Sequence, residues 1–174
     1  MPYTHPLFAA LFLPAAAVLL IGGVALAQPG PIRSPVAEPP SFLGAWELDL
    51  TRMPDGYGTP PKRVTFTFKD VGAGQWRTEI DITAPDNSVR HSAIQYRRDG
   101  KMVPGEGDTR EADSGAFRSP APNVLVMSLA KNRNLGAVRV YTLSGDGKEM
   151  TESAANVDDK GAPFVRNFYF KRVR

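Results

Sequence analysis

The chain has 174 residues, a length that suits one domain. It contains no cysteine, which excludes disulfides, thiolate chemistry, acylation on cysteine and any zinc site built on cysteine ligands. Its 21 basic residues exceed its 18 acidic ones by only three and are scattered, which argues against a dedicated nucleic-acid surface.

Residues 1–27 carry no Lys, Arg, Asp or Glu, so the whole net charge belongs to residues 28–174. Leu7 to Ala27 is almost continuously apolar and ends in Ala25-Leu26-Ala27, with small residues where a signal peptidase reads. The pattern predicts a cleavable export signal, cut after Ala27, and a periplasmic or secreted product with no stable membrane span after cleavage. The n-region lacks Lys and Arg, and the stretch is long enough to span a bilayer, so a retained anchor is the competing reading. Residues 28–40 hold five prolines in thirteen positions and can form neither a helix nor a central strand. They predict a semi-extended linker reaching at most ~40 Å.

From Ser41 onward short alternating runs are separated by turn residues. The pattern predicts strands over 44–51, 63–69, 75–83, 89–97, 112–118, 123–130, 136–143, 149–156 and 163–173. Val64, Phe66 and Phe68 alternate with Thr65, Thr67 and Lys69. Trp76, Ile80 and Ile82 share a face opposite Glu79 and Asp81, which read as solvated. Period two with one apolar face marks half-buried antiparallel strands. Asp99-Gly100 and Asp146-Gly147 predict tight hairpin turns, because both residue types accept the positive φ such turns need. No amphipathic helix is evident after residue 41. Many short strands at hairpin spacing predict an all-β domain over 41–174, an antiparallel up-and-down barrel of about eight to ten strands. Closing the sheet removes its edges.

The opening strand reads Gly44-Ala45-Trp46-Glu47-Leu48 and the closing one Phe168-Tyr169-Phe170-Lys171-Arg172. A Gly-x-Trp at this place resembles the lipocalin (calycin) signature. The resemblance implies that Trp46 closes the barrel base and that Lys171 or Arg172 stacks over it. Between them lie Tyr96-Arg97-Arg98-Asp99-Gly100-Lys101 and Asp146-Gly147-Lys148-Glu149-Met150-Thr151. In their order and spacing these motifs resemble the small exported lipocalin-like barrel proteins of bacteria. The stretch 104–123 departs from that pattern. The resemblance implies a barrel with room for a ligand, and no particular activity.

The candidate site residues follow from their chemistry. The expected interior set is Val64, Phe66, Phe68, Trp76, Ile80, Ile82, Val140 and Phe168. Of these, Phe66, Phe68, Trp76, Ile80 and Phe168, with Arg166, are the candidate ligand-binding lining. Arg166 shares the apolar face of the last strand; pointing inward it would hold an anionic head group, whereas a bulge would turn it out. His91, the only histidine beyond the signal, reads as a satisfied strand residue rather than a general base or haem ligand. Glu106, Asp108, Glu111 and Asp113 crowd one loop, but Arg110 among them and the missing twelve-residue spacing argue against calcium. No phosphate loop, nucleophile elbow or metal motif occurs, so neither an enzyme nor a cofactor is expected. Two functions remain. One is an exported barrel binding a small apolar or amphiphilic ligand. The other is an envelope protein-binding or inhibitor-type barrel with a packed interior, using the basic loop Lys131-Asn132-Arg133-Asn134-Leu135-Gly136.

Overall fold

The computed structural model describes residues 39–173. The predicted signal over 1–27 and all but the last two residues of the predicted linker lie outside them. Ten strands follow in order: β1 (Gly44–Leu48), β2 (Arg63–Gly72), β3 (Gln75–Thr83), β4 (Val89–Arg97), β5 (Val103–Gly107), β6 (Ser114–Ala121), β7 (Val124–Lys131), β8 (Asn134–Leu143), β9 (Glu149–Val157) and β10 (Pro163–Val173). Each pairs antiparallel with the next, and β1 pairs with β10 as well as β2, so the sheet closes into an up-and-down barrel. Closure satisfies the backbone groups an edge strand would expose. Among the described residues no helix is long and apolar enough to cross a membrane.

The turns follow their chemistry. Asp86, Asp99, Asp146 and Asp158 each accept a hydrogen bond from the backbone N–H two residues on, an Asx turn that starts the chain reversal. Several predicted boundaries shift by one to three residues, and one strand is added. The first strand stops at Leu48, because Asp49 accepts from the N–H of Thr51 and caps a single 3-10 turn over Leu50–Arg52. Strand β5 has no counterpart in the sequence pattern. Its residues, Val-Pro-Gly-Glu-Gly, show no apolar alternation, and it is held by few partners: Gly107, Glu106 and Gly105 face Ser92, Ala93 and Ile94 on β4, while Val103 and Pro104 face Gly115 and Ser114 on β6. Pro104 is tolerated because pairing there is so sparse. Gly107 is required: at φ +79° a Cβ would stand 2.4 Å from the His91 carbonyl oxygen.

The inward phase is legible on most strands. Val64, Phe66, Phe68 and Trp76 are buried in the core, with Ile80, Ile82 and Phe168 packed against it. Val140 is a correction. On β8 the inward residues are Arg139, Tyr141 and Leu143, and Val140 lies on the outer face beside Val126 of β7 and Ser153 of β9. Both alternating sets of β8 contain β-prone residues, and placing valines inside and arginine outside selects the wrong one.

The two ends of the barrel are different. One end is formed by the β2–β3, β4–β5, β6–β7 and β8–β9 turns and the entry to β1. The other is formed by the β3–β4, β5–β6, β7–β8 and β9–β10 turns. The long β1–β2 connection also approaches it, with Tyr57 packing edge-on against Phe168 at 5.5 Å.

Candidate functional site

The first end is filled. Trp46 is fully buried and its indole N–H donates to the carbonyl of Phe42 at 2.8 Å. The Arg172 guanidinium lies 4.2 Å from the ring centroid and donates to the carbonyls of Leu43, Gly147 and Ser41. Gly44 permits this approach, since a Cβ there would meet the Arg172 guanidinium at 3.0 Å. Lys171, the other candidate for the stacking position, points outward and pairs with Asp49 at 2.7 Å. Consecutive strand residues take opposite faces, so only one of the two can reach the tryptophan. Arg98 covers Trp76 in the same way, 3.9 Å from its ring.

Phe66, Phe68 and Trp76 belong to this filled end and do not line a cavity. Phe66 meets Phe170 edge-on at 5.1 Å and tilts against Tyr141 at 5.9 Å; Phe68 packs on Phe42 at 5.8 Å and on Tyr141 at 6.4 Å; Trp76 packs on Phe42. Beside them Tyr96 stacks on Phe117 at 3.5 Å. Its hydroxyl shares a 2.9 Å hydrogen bond with Thr78, and burial pushes its pKa up to about 12. Alternation assigns these side chains the right face of the sheet, but it carries no information about depth along the barrel axis.

The cavity lies toward the second end. It holds about 100 Å³ and is walled by Ile80, Ile82, Ile94, Met127 and Leu129, with Thr78, Ser92, Arg90, Asp108, Glu111 and Arg139 as its polar lining. Of the candidate lining residues only Ile80 reaches it. Phe168 sits against Tyr57. Arg166 keeps the inward phase of β10, opposite Ala154, but lies so near the strand's end that it is exposed, 5.0 Å over the ring of Phe164. No bulge turns it; its position at the rim does.

The charge inside the barrel is on Arg139. Its guanidinium pairs with Glu152 of β9 at 3.1 Å and, from the mouth, with Glu111 of the β5–β6 loop. Glu152 is only 3% exposed. Burial raises its pKa against the opposing pull of Arg139. Burial disfavours the charge on Arg139 too, but Tyr141 and Glu152 outweigh it and its pKa is raised. The Tyr141 hydroxyl is pushed well above its ordinary value by burial. Two buried polar atoms here make no well-aligned hydrogen bond: Nε of Arg139, and the hydroxyl oxygen of Tyr141, which lies beside both Arg139 and Glu152. Such groups cost about 1–3 kcal/mol each when left unmade, and they mark a place where a water or ligand completes the network.

The loop carboxylates are individually occupied. Glu106 pairs with Arg77 at 2.9 Å, and Asp108 with Arg110 at 2.8 Å and Arg90 at 3.6 Å. Asp113 accepts from the N–H of Asn132 at 2.8 Å. Among the described residues no group of three or more His, Cys, Asp or Glu is placed to hold a metal. His91 lies on the outer wall, its Nδ1 2.7 Å from Asp81, far from the arrangement a haem ligand inside the barrel needs. Sequence reasoning misses Arg139, Tyr141 and Glu152. The signal for them is the register of β8 against β9, which puts Tyr141 opposite Glu152 and Arg139 opposite Ala154, and register is not readable from one chain's alternation.

The chain matches no protein-family model and no curated protein. Among solved structures it is similar to a Schistosoma mansoni fatty-acid-binding protein in complex with arachidonic acid, with 14% identity, TM-score 0.54 and coverage of 76% of this chain and 96% of that one. It is also similar to Echinococcus granulosus fatty-acid-binding protein 1, at 11% identity, TM-score 0.53 and coverage of 76% and 98%. A third is a mutant of the fluorescent protein UnaG, at 11% identity, TM-score 0.53 and coverage of 76% and 96%. At these identities the likeness establishes the fold alone: a closed, ten-stranded antiparallel barrel resembling that of the fatty-acid-binding proteins.

Proposed function

We propose that the domain over 41–174 binds a small amphiphile with an acidic group, the head at Arg139 and Tyr141 and the tail against Ile80, Ile82, Ile94, Met127 and Leu129. The observation that carries this reading is the pair of polar atoms without well-aligned partners on Arg139 and Tyr141, on the inward face of one strand beside an apolar-walled cavity. The fold supports it, since two of the similar structures are fatty-acid-binding proteins. The domain works as a carrier or sensor rather than an enzyme, and it is exported, with residues 1–27 removed. N-terminal sequencing of the protein from the host's envelope tests the export: a mature start at Gln28 supports it, and an intact Met1 overturns it.

At about 100 Å³ the cavity has the space of roughly three waters, below the roughly 300 Å³ at which small-molecule pockets begin. Binding therefore requires the mouth to widen, by outward movement of the β1–β2 connection over 49–62 and of the Glu111 side chain, while the backbone of 108–113 stays anchored. The test is titration of the purified full chain with the fluorescent acid 11-(dansylamino)undecanoate. Saturable binding is expected. It should weaken at least tenfold in the Arg139→Met/Glu152→Gln double variant, which removes the cation without leaving a buried charge. Absence of binding to the unaltered chain overturns the reading.

The same small volume favours the second reading, a packed barrel that engages a protein in the envelope. Its contact would be the β7–β8 hairpin, where Asn132 and Arg133 form the turn and Leu135 is 74% exposed. A partner retained by the unaltered chain and lost on Arg133→Glu, with no uptake of the fluorescent acid, selects that reading instead.

A further inference from the structure

We infer that Glu111 is a tethered stand-in for the ligand's acid group: it occupies Arg139 from the mouth, and an incoming carboxylate binds by displacing it. This rests on the interior-binding reading above. Arg139 faces two carboxylates that differ in kind. Glu152 is on a strand, buried and fixed. Glu111 comes from the β5–β6 loop, with a side chain 66% exposed, and it lines the cavity it reaches into.

The loop does not need Glu111 to hold its place. Arg110 clamps Asp108, Lys131 donates from Nζ to the carbonyl of Thr109 at 2.5 Å, and Asp113 takes the N–H of Asn132. The Asp113 N–H in turn donates to the carbonyl of Ala130 at 3.0 Å. With the segment anchored on both sides, the Arg139–Glu111 contact is separable from the fold. Its geometry shows that the guanidinium receives a carboxylate approaching from solvent. Exchange of one carboxylate for another leaves the interior charge unchanged, whereas a neutral amphiphile has no claim on Arg139 and leaves Glu111 where it is. Glu111 thereby sets both the affinity and the preference for acids.

The experiment compares the full chain with Glu111→Gln and Glu111→Ala, each titrated with 11-(dansylamino)undecanoate and with its methyl ester. An ion pair of this exposure is worth about two- to fivefold in an equilibrium constant. Both variants should therefore bind the acid more tightly by that factor, with the ester unchanged. Acid affinity equal to that of the unaltered chain overturns the inference while leaving interior binding intact. Weaker acid binding overturns it as well, by making Glu111 part of the receptor. If the unaltered chain takes up neither probe, the interior-binding reading fails and this inference falls with it.

Discussion

The two ends of this barrel solve the problem of filling a closed sheet in opposite ways. The Trp46 end is filled with aromatic rings whose few polar atoms are matched: the indole N–H to Phe42, Arg172 to three carbonyls, Tyr96 to Thr78. The Arg139 end encloses ions and a cavity, and where the two ends meet Nε of Arg139 and the hydroxyl of Tyr141, whose ring belongs to the aromatic packing, lack well-aligned partners. The first arrangement gains from area and packing and is indifferent to any ligand. The second keeps desolvated polar groups that become stabilising only once something completes them. The difference teaches where this fold is fully packed and where it keeps enclosed space and buried charge.

The largest expected effect is at the filled end. Trp46→Ala deletes the central ring, the Phe42 bond and the surface under Arg172, and it should destabilise the protein by about 3–5 kcal/mol. The measurement is the urea midpoint, and a shift under about 1 kcal/mol would show that the aromatic end does not hold the barrel together.

At the Arg139 end the cost should come from charge rather than volume. Arg139→Met strands Glu152 in the interior and should cost about 3 kcal/mol, while Arg139→Met with Glu152→Leu should return to within about 1 kcal/mol of the unaltered chain. Recovery in the double variant separates the two ends, because no second substitution can refill the space Trp46 leaves. If the double variant stays as unstable as the single one, the Arg139 network is structural and the contrast between the ends collapses.

These two sites are not equally legible in the sequence. The role of Trp46 is readable through the resemblance its Gly-x-Trp opening carries, which implies a stacking cation at the end of the last strand but leaves Lys171 and Arg172 both open. Most strands are visible because runs such as Val64–Phe68 and Trp76–Ile82 alternate cleanly. Strand β5 is not, since Pro104, Gly105 and Gly107 hide a strand that is held mainly by its neighbours. The Arg139 site is lost for a different reason. Alternation fixes a face but not a phase where valines and polar residues interleave, as in Val138-Arg139-Val140-Tyr141, and it fixes no depth, so Phe66 and Phe68 look like cavity lining. What decides both is cross-strand register, a long-range property.

The smallest expected effect concerns two carboxylates shifted in opposite directions. Asp49, on the outer wall, is held down to about 2 from an ordinary 3.8, first by its hydrogen bond from Lys171 and then by Thr51. Its contribution is fully present above 3.8 and is lost as the pH falls from there through about 2. Glu152 is raised above its ordinary 4.5 by burial. The folded state therefore binds its proton more tightly than the unfolded state does, so its penalty is full above the folded-state pKa and disappears as the pH falls to 4.5. Comparison of urea midpoints across pH should accordingly show that Glu152→Gln removes a gain on mild acidification, and that Asp49→Asn lessens but does not abolish the loss below 3.8, to which other lowered carboxylates such as Asp108 also contribute. If instead Glu152→Gln flattened a loss in the mildly acidic range, Arg139 would outweigh burial. The interior would then already be a satisfied ion pair, and the Arg139 end would have no unfilled demand for a ligand's charge.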